Sequence, residues 1–151
     1  MEEKFKELGL VIPDMSTPVA NYLPYMVHEN LVYVSGQPPV VDGKVTHKGK
    51  VGKECTLEEG QEAARVCCIN IIAALKHAIG GDWNRFDRII KVGGFVNCDD
   101  DFTQHPQVIN GASDLFVKIF GERGRHARFA VGSNSLPLDI AVEIDAVIAI
   151  K

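Results

Sequence analysis

The chain has 151 residues, 46% hydrophobic and 24% charged, close to the globular average, which argues against disorder and low complexity. Sixteen Lys+Arg against 20 Asp+Glu give a formal charge of −4. A phosphate-neutralising surface shows as a basic excess or a basic stripe, and neither is present, which argues against nucleic acid as a partner.

The length suits one domain, residues 1–151, with a helix and extension over 1–17 at its amino end. A chain of this size buries roughly 68–70% of its unfolded surface, so it needs no disulfide or metal to fold. No run approaches the ~18 apolar residues of a membrane span. The opening MEEKFKELGL lacks the basic-then-apolar layout of a secretory signal. Cys55, Cys67, Cys68 and Cys98 form no C-x-x-C pair and read as reduced, packed thiols, so the expected location is cytoplasmic.

A short helix is predicted over Glu2–Leu10, stopped by Pro13 and Pro18, where extended chain begins. Two β-prone runs follow, Tyr22–Val27 and Leu31–Ser35, joined by His28-Glu29-Asn30 as a hairpin. Gly36 and Pro38-Pro39 stop the second, and Asp42-Gly43 marks a turn at the start of a loop that runs to Gly52. Thr56 and Glu59 have capping-box spacing at the head of a long helix. Its apolar stripe runs Ala64, Cys67, Cys68, Ile71, Ile72, Leu75 and Ile79, and Gly80-Gly81 ends it. His77 falls on its exposed side.

Phe86–Val96 reads as a strand and Pro106–Phe120 as a second long helix. Two strands close the chain, His126–Ser133 and Ile140–Ile150. In the last, Ile140, Val142, Ile144, Ala146, Ile148 and Ile150 alternate with Ala141, Glu143, Asp145, Val147 and Ala149. The order α-β-β-α-β-α-β-β predicts an α+β fold, a mixed sheet with two long helices on one face.

In the strand from His126, the residues Ala127, Phe129 and Val131 form a bulky side; His126, Arg128, Ala130 and Gly132 form the other. The less bulky sides of the last two strands carry Arg128 and Glu143 beside Ala130, Gly132 and Ala141. Small residues beside charges build a hollow, which is expected to lie on an uncovered sheet face and to be closed by another subunit. There is no dinucleotide glycine motif, Walker loop, HExxH or nucleophile elbow, and the five histidines have no metal-ligand spacing.

Arginine is a permanent cation that grips a carboxylate with two parallel bonds, and glutamate can hold a water and pass its proton on. That combination suits hydrolysis of a small carboxylated substrate. The plainer alternative is an ion pair between neighbouring strands.

The segment Ala127-Arg128-Phe129-Ala130-Val131, then Leu136-Pro137, then Val142-Glu143-Ile144-Asp145-Ala146, resembles the signature of the YjgF/RidA (Rid) family, labelled endoribonuclease L-PSP in older usage. Asn30-Leu31-Val32-Tyr33-Val34-Ser35-Gly36-Gln37 is similar to the family's first hairpin, and Gln107-Val108-Ile109-Asn110-Gly111-Ala112 to its second helix. The resemblance runs from about Pro18 to the end, and the longer amino terminus points to a YjgF-like subgroup. It implies a chorismate-mutase-like fold, a homotrimer with clefts between subunits, and hydrolysis of reactive 2-imino (enamine) acids to 2-oxo acids and ammonia. No metal or organic cofactor is implied.

Arg128 falls on the family's carboxylate-binding arginine and Glu143 on its water-holding glutamate. Tyr22 falls on the pocket tyrosine, with Tyr25 as the alternative and packing at a subunit edge as its plainer role. Asn110 falls on a pocket asparagine, and Ser35 and Gly36 line the approach. Ala130 stands where archetypal members often carry cysteine. Partners implied are a small carboxylated metabolite and further copies of the chain, with no membrane. Other readings of the same resemblance are a non-catalytic metabolite binder, an RNA-cleaving or translation-inhibiting protein, and a scaffold with a structural Arg128–Glu143 pair.

Overall fold

A computed structural model describes residues 1–15 and 20–151. The stop at Pro18, the end of the extension at residue 17 and the start of the resemblance lie outside them. Helix α1 covers Glu2–Glu7 and is shorter than its amphipathic pattern predicts, because Leu8 caps it and Gly9 turns with φ +65°. Strands β1 (Tyr25–His28) and β2 (Leu31–Gln37) form the first hairpin. The first begins three residues later than predicted, since Pro24 follows Tyr22 and Leu23 and breaks the run. The second continues through Gly36, where a register shift between Val34 and Gln37 marks a bulge.

The stretch expected to be loop opens with a ribbon, β3 (Val40–Val41) and β4 (Lys44–Val45), around Asp42 (φ 50°) and Gly43 (φ 76°). Two positive φ angles in a two-residue loop match the twist of a tight hairpin. Helix α2 spans Leu57–Ala78, with the Glu59 N–H donating to Thr56 Oγ1 at 3.1 Å as the capping-box spacing predicts. Strand β5 (Phe86–Asn97), helix α3 (His105–Phe120), and strands β6 (Ala127–Ser133) and β7 (Val142–Ile150) complete the fold.

The main sheet has the order β1-β2-β7-β5-β6. Only β5 and β6 run parallel, joined by a crossover through α3. Both long helices cover one face. There Ile71, Ile72 and Leu75 of α2 and Ile109 and Phe116 of α3 pack on Val32, Val92, Ile144 and Ile148 in one buried cluster. The four cysteines are free and buried, and burial pushes the Cys55 thiol up to about 11. His77 is exposed, as predicted, and meets the Tyr25 hydroxyl at 2.8 Å through its Nδ1.

Among the described residues the opposite face carries no helix. Met26, Tyr33, Phe95 and Val131 are exposed on it, alongside Phe129, Glu143, Asp145 and Val147. A contiguous row of exposed apolar side chains on a sheet face is the kind of surface that proteins use for interaction. No helix among the described residues is long and apolar enough to cross a membrane.

The two long helices approach closely at Gly111. A Cβ there would run into the Gln61 carbonyl oxygen and lie 2.9 Å from its carbon, both α2 backbone atoms that cannot step aside. Gly111→Ala is therefore expected to destabilise the fold by about 1–3 kcal/mol, the usual cost of overpacking. Thermal unfolding should show a fall of roughly 2–4 °C per kcal/mol for a chain of this length.

Candidate active site

Arg128 does not share a face with Glu143. Its Nη1 donates to Ser113 Oγ at 3.0 Å and its Nη2 to the Pro106 carbonyl at 3.3 Å, both on α3. The row Arg128, Ala130 and Gly132 therefore faces the helices. Ala130 packs against the core, and Gly132 leaves room for Cys98 and His105, whose Sγ and Nε2 stand 3.4 Å apart. The bulky row is the uncovered one: Phe129 meets Phe95 edge to face at 5.4 Å, and a Cβ on Gly93 would strike both Phe129 and Asp145.

This corrects the expectation that the small, charged side of β6 is the open side. At an edge strand the helix-facing row is narrowed by the helix that leads into it, so small residues sit under α3. The bulky row is left uncovered. The structural ion pair is excluded by the same geometry, since β5 lies between β6 and β7 and the two charges point to opposite faces. Among the described residues no carboxylate pairs with Arg128.

On α3, Asn110 lies four residues after Pro106 and three before Ser113, the spacing of one helical face. It is half-buried on the same side that holds Arg128. Arg128, Asn110 and Ala130 thus lie along the outer edge of the sheet, on its helix side.

A second group gathers on the open face. Tyr22 and Ser35 line a hollow of about 430 Å3 together with Tyr25, Met26 and Tyr33. Ser35 Oγ donates to the Leu23 carbonyl at 2.6 Å, tying the segment before β1 to the bulge in β2. Tyr22 is 57% exposed, whereas Tyr25 commits its hydroxyl to His77, which favours Tyr22 as the one presented outward. Gly36 borders Glu143, and a Cβ there would come within 3.1 Å of the carboxyl carbon. The glycine keeps that carboxylate uncrowded.

Glu143 is half-buried, and burial together with the Asp145 carboxylate holds its pKa above the usual value. Burial raises Asp145 as well, opposed by the Gly93 N–H that it accepts at 3.1 Å and by Lys91. A carboxylate poised upward is better matched to passing protons near neutral pH.

Sequence reasoning does not single out Ser113, His126 or Asp145, which stand beside Arg128 and Glu143. Ser113 stands three residues after Asn110, a spacing that could have placed it on the same face. His126 and Asp145 were assigned to strand faces only.

The comparisons with known proteins decide the family. The family described as "YjgF/chorismate mutase-like, putative endoribonuclease" matches residues 2–147. The chain belongs to this family. It is 40% identical over 147 residues to Protein TCP17 of Trypanosoma cruzi, covering 97% of this chain and 91% of that protein.

The crystal structure of Atu1372, a protein of unknown function from Agrobacterium tumefaciens, is 45% identical with a TM-score of 0.93, covering 99% and 92% of the two chains. The YjgF gene product of E. coli shares the fold at 24% identity and a TM-score of 0.64, covering 90% and 93%. The α+β expectation, with a mixed sheet under two long helices in the chorismate-mutase-like arrangement, therefore holds.

Proposed function

We propose that the protein is a homotrimeric deaminase that hydrolyses reactive 2-imino acids to 2-oxo acids and ammonia in clefts between protomers. The observation that carries this reading is the placement of Arg128 and Glu143 on opposite faces of one sheet, each incomplete alone. Arg128 is a guanidinium held by two neutral acceptors, and among the described residues no carboxylate pairs with it. Glu143 stands on an apolar open face that calls for a cover. Setting the helix-side edge of β6 in one protomer against the open face of the next brings the two together. A head-to-tail contact closes into a ring when its rotation closes, and a three-fold rotation gives the trimer.

In such a cleft Arg128 grips the substrate carboxylate, with Asn110 and Ala130 beside it. Glu143, Tyr22, Ser35 and Gly36 come from the neighbour. Water held by Glu143 attacks the imine carbon and gives its proton to the carboxylate. Glu143 passes that proton to nitrogen to give the carbinolamine. It then takes the hydroxyl proton as the C=O bond forms and delivers it to nitrogen as the C–N bond breaks, so ammonia leaves a 2-oxo acid. The imine carbon is already electrophilic, so positioning and proton transfer are what the protein supplies.

The test generates 2-iminopropanoate enzymatically and follows its decay. Wild type should accelerate the decay, and Arg128→Ala should lower kcat/KM by about 10²–10³-fold, the loss of two charge-assisted hydrogen bonds. Pyruvate binding at Arg128 without acceleration would leave a metabolite binder in place of an enzyme. Steeply salt-dependent binding of single-stranded RNA would replace the reading with the endoribonuclease of the family description.

A further inference from the structure

His126 stands immediately before β6, with its ring edge-on to Phe116 of α3 at 5.7 Å. Its Nδ1 lies 2.7 Å from the Gly124 carbonyl and its Nε2 lies 2.9 Å from Ser113 Oγ. A carbonyl only accepts, so Nδ1 carries the proton and the Nε2 of the neutral ring is a bare acceptor. Ser113 must then donate its hydroxyl proton to Nε2. That turns the oxygen's lone pairs toward Arg128, whose Nη1 donates to it. Each hydrogen bond in the series fixes the direction of the next.

We propose that Ser113 and His126 are positioning residues that aim the Arg128 guanidinium into the cleft. This inference rests on the reading of Arg128 as the carboxylate-binding group. Arginine has five N–H donors, and the bonds to Ser113 and Pro106 use two, leaving three directed by the support for the substrate carboxylate. Without Ser113 the guanidinium keeps its charge and loses its aim.

The surroundings keep the ring neutral. Burial and the Arg128 cation lower the His126 pKa, against the raising effect of the Gly124 bond. From α3 the ring meets neutral Ser113 and Phe116; in the preceding turn Glu122 and Arg125 pair with each other at 3.0 Å. Arg128 is the charged group that acts on the ring.

Titration of the nitrogen-15 labelled, full-length protein in its native assembly tests the proposal. His126 should appear as the Nδ1–H tautomer at neutral pH, and Arg128→Gln should raise its pKa by removing the cation. Pyruvate bound to wild type should also raise it, since the carboxylate offsets the guanidinium. Ser113→Ala should weaken pyruvate binding about tenfold, the scale of one hydrogen bond to a charged group. Ser113→Thr should restore it, and His126→Gln should cost nothing further in the Ser113→Ala background.

An Nε2–H tautomer, or a Ser113→Ala protein that folds normally and binds pyruvate like wild type, would overturn the inference. A His126→Gln penalty that persists without Ser113 would do the same. Wild type indifferent to pyruvate would instead sink the carboxylate-binding reading, and the support would then stand or fall on the tautomer and the Arg128→Gln shift.

Discussion

Arg128→Ala and Glu143→Gln chains, each strongly impaired when assembled alone, are expected to recover activity when dissociated together and reassembled as mixtures. Each cleft of the proposed ring takes its arginine from one chain and its glutamate from the next. A cleft between a Glu143→Gln chain that supplies Arg128 and an Arg128→Ala chain that supplies Glu143 is intact. Random mixing of equal amounts leaves roughly a quarter of the clefts in a three-membered head-to-tail ring whole. A double variant mixed with either single variant should stay silent, because one of the two groups is then missing everywhere. Silence from the two single variants, with mixed assemblies demonstrated by mass, would exclude a site shared between protomers. No rearrangement within one chain rescues the idea, because β5 separates the two strands and the side chains point away from each other.

The parts of the fold that were legible in the sequence are those with local causes. The Thr56 cap, the Gly80-Gly81 stop and the alternation of β7 depend on neighbours a few residues away, and the structure repeats them. The β3–β4 ribbon was not legible, since two-residue strands are too short to show a period. The orientation of Arg128 was misread for a different reason. Alternation says that Arg128 and Phe129 point opposite ways, but not which way a helix lies. The usual rule that bulk faces the helix fails at β6, where the bulky row of Phe129 and Val131 is left open and small residues fit beneath α3. The candidate residues are readable as residue types; the placement of Arg128 and Glu143 on opposite faces of the sheet is a property of the crossover from β5 through α3 to β6.

Glu143→Gln should slow the reaction and stabilise the fold at the same time. The carboxylate is half-buried next to Asp145, and both burial and that neighbour hold its pKa above the ordinary value. The folded state therefore binds this proton more tightly than the unfolded chain. The stabilisation this supplies is fully present below the unfolded pKa and is lost as pH rises through the higher folded one. At neutral pH the ionised group is a net burden on the fold, and glutamine keeps the shape without the charge. The variant should melt above wild type at pH 7, with the advantage vanishing once pH falls below the ordinary carboxylate range.

Over the same comparison kcat should drop on the order of 10²–10⁴-fold, the range for loss of a positioned general base, with KM little changed because Arg128 still holds the substrate. Wild type should lose kcat/KM as pH falls through the raised Glu143 value, and the variant's residual activity should lack that limb. Retained stability cost with retained rate would mean that the charge is a passive feature of the open face. A gain in stability with a loss of rate is the trade expected where a fold tolerates an uncomfortable group for the sake of its chemistry.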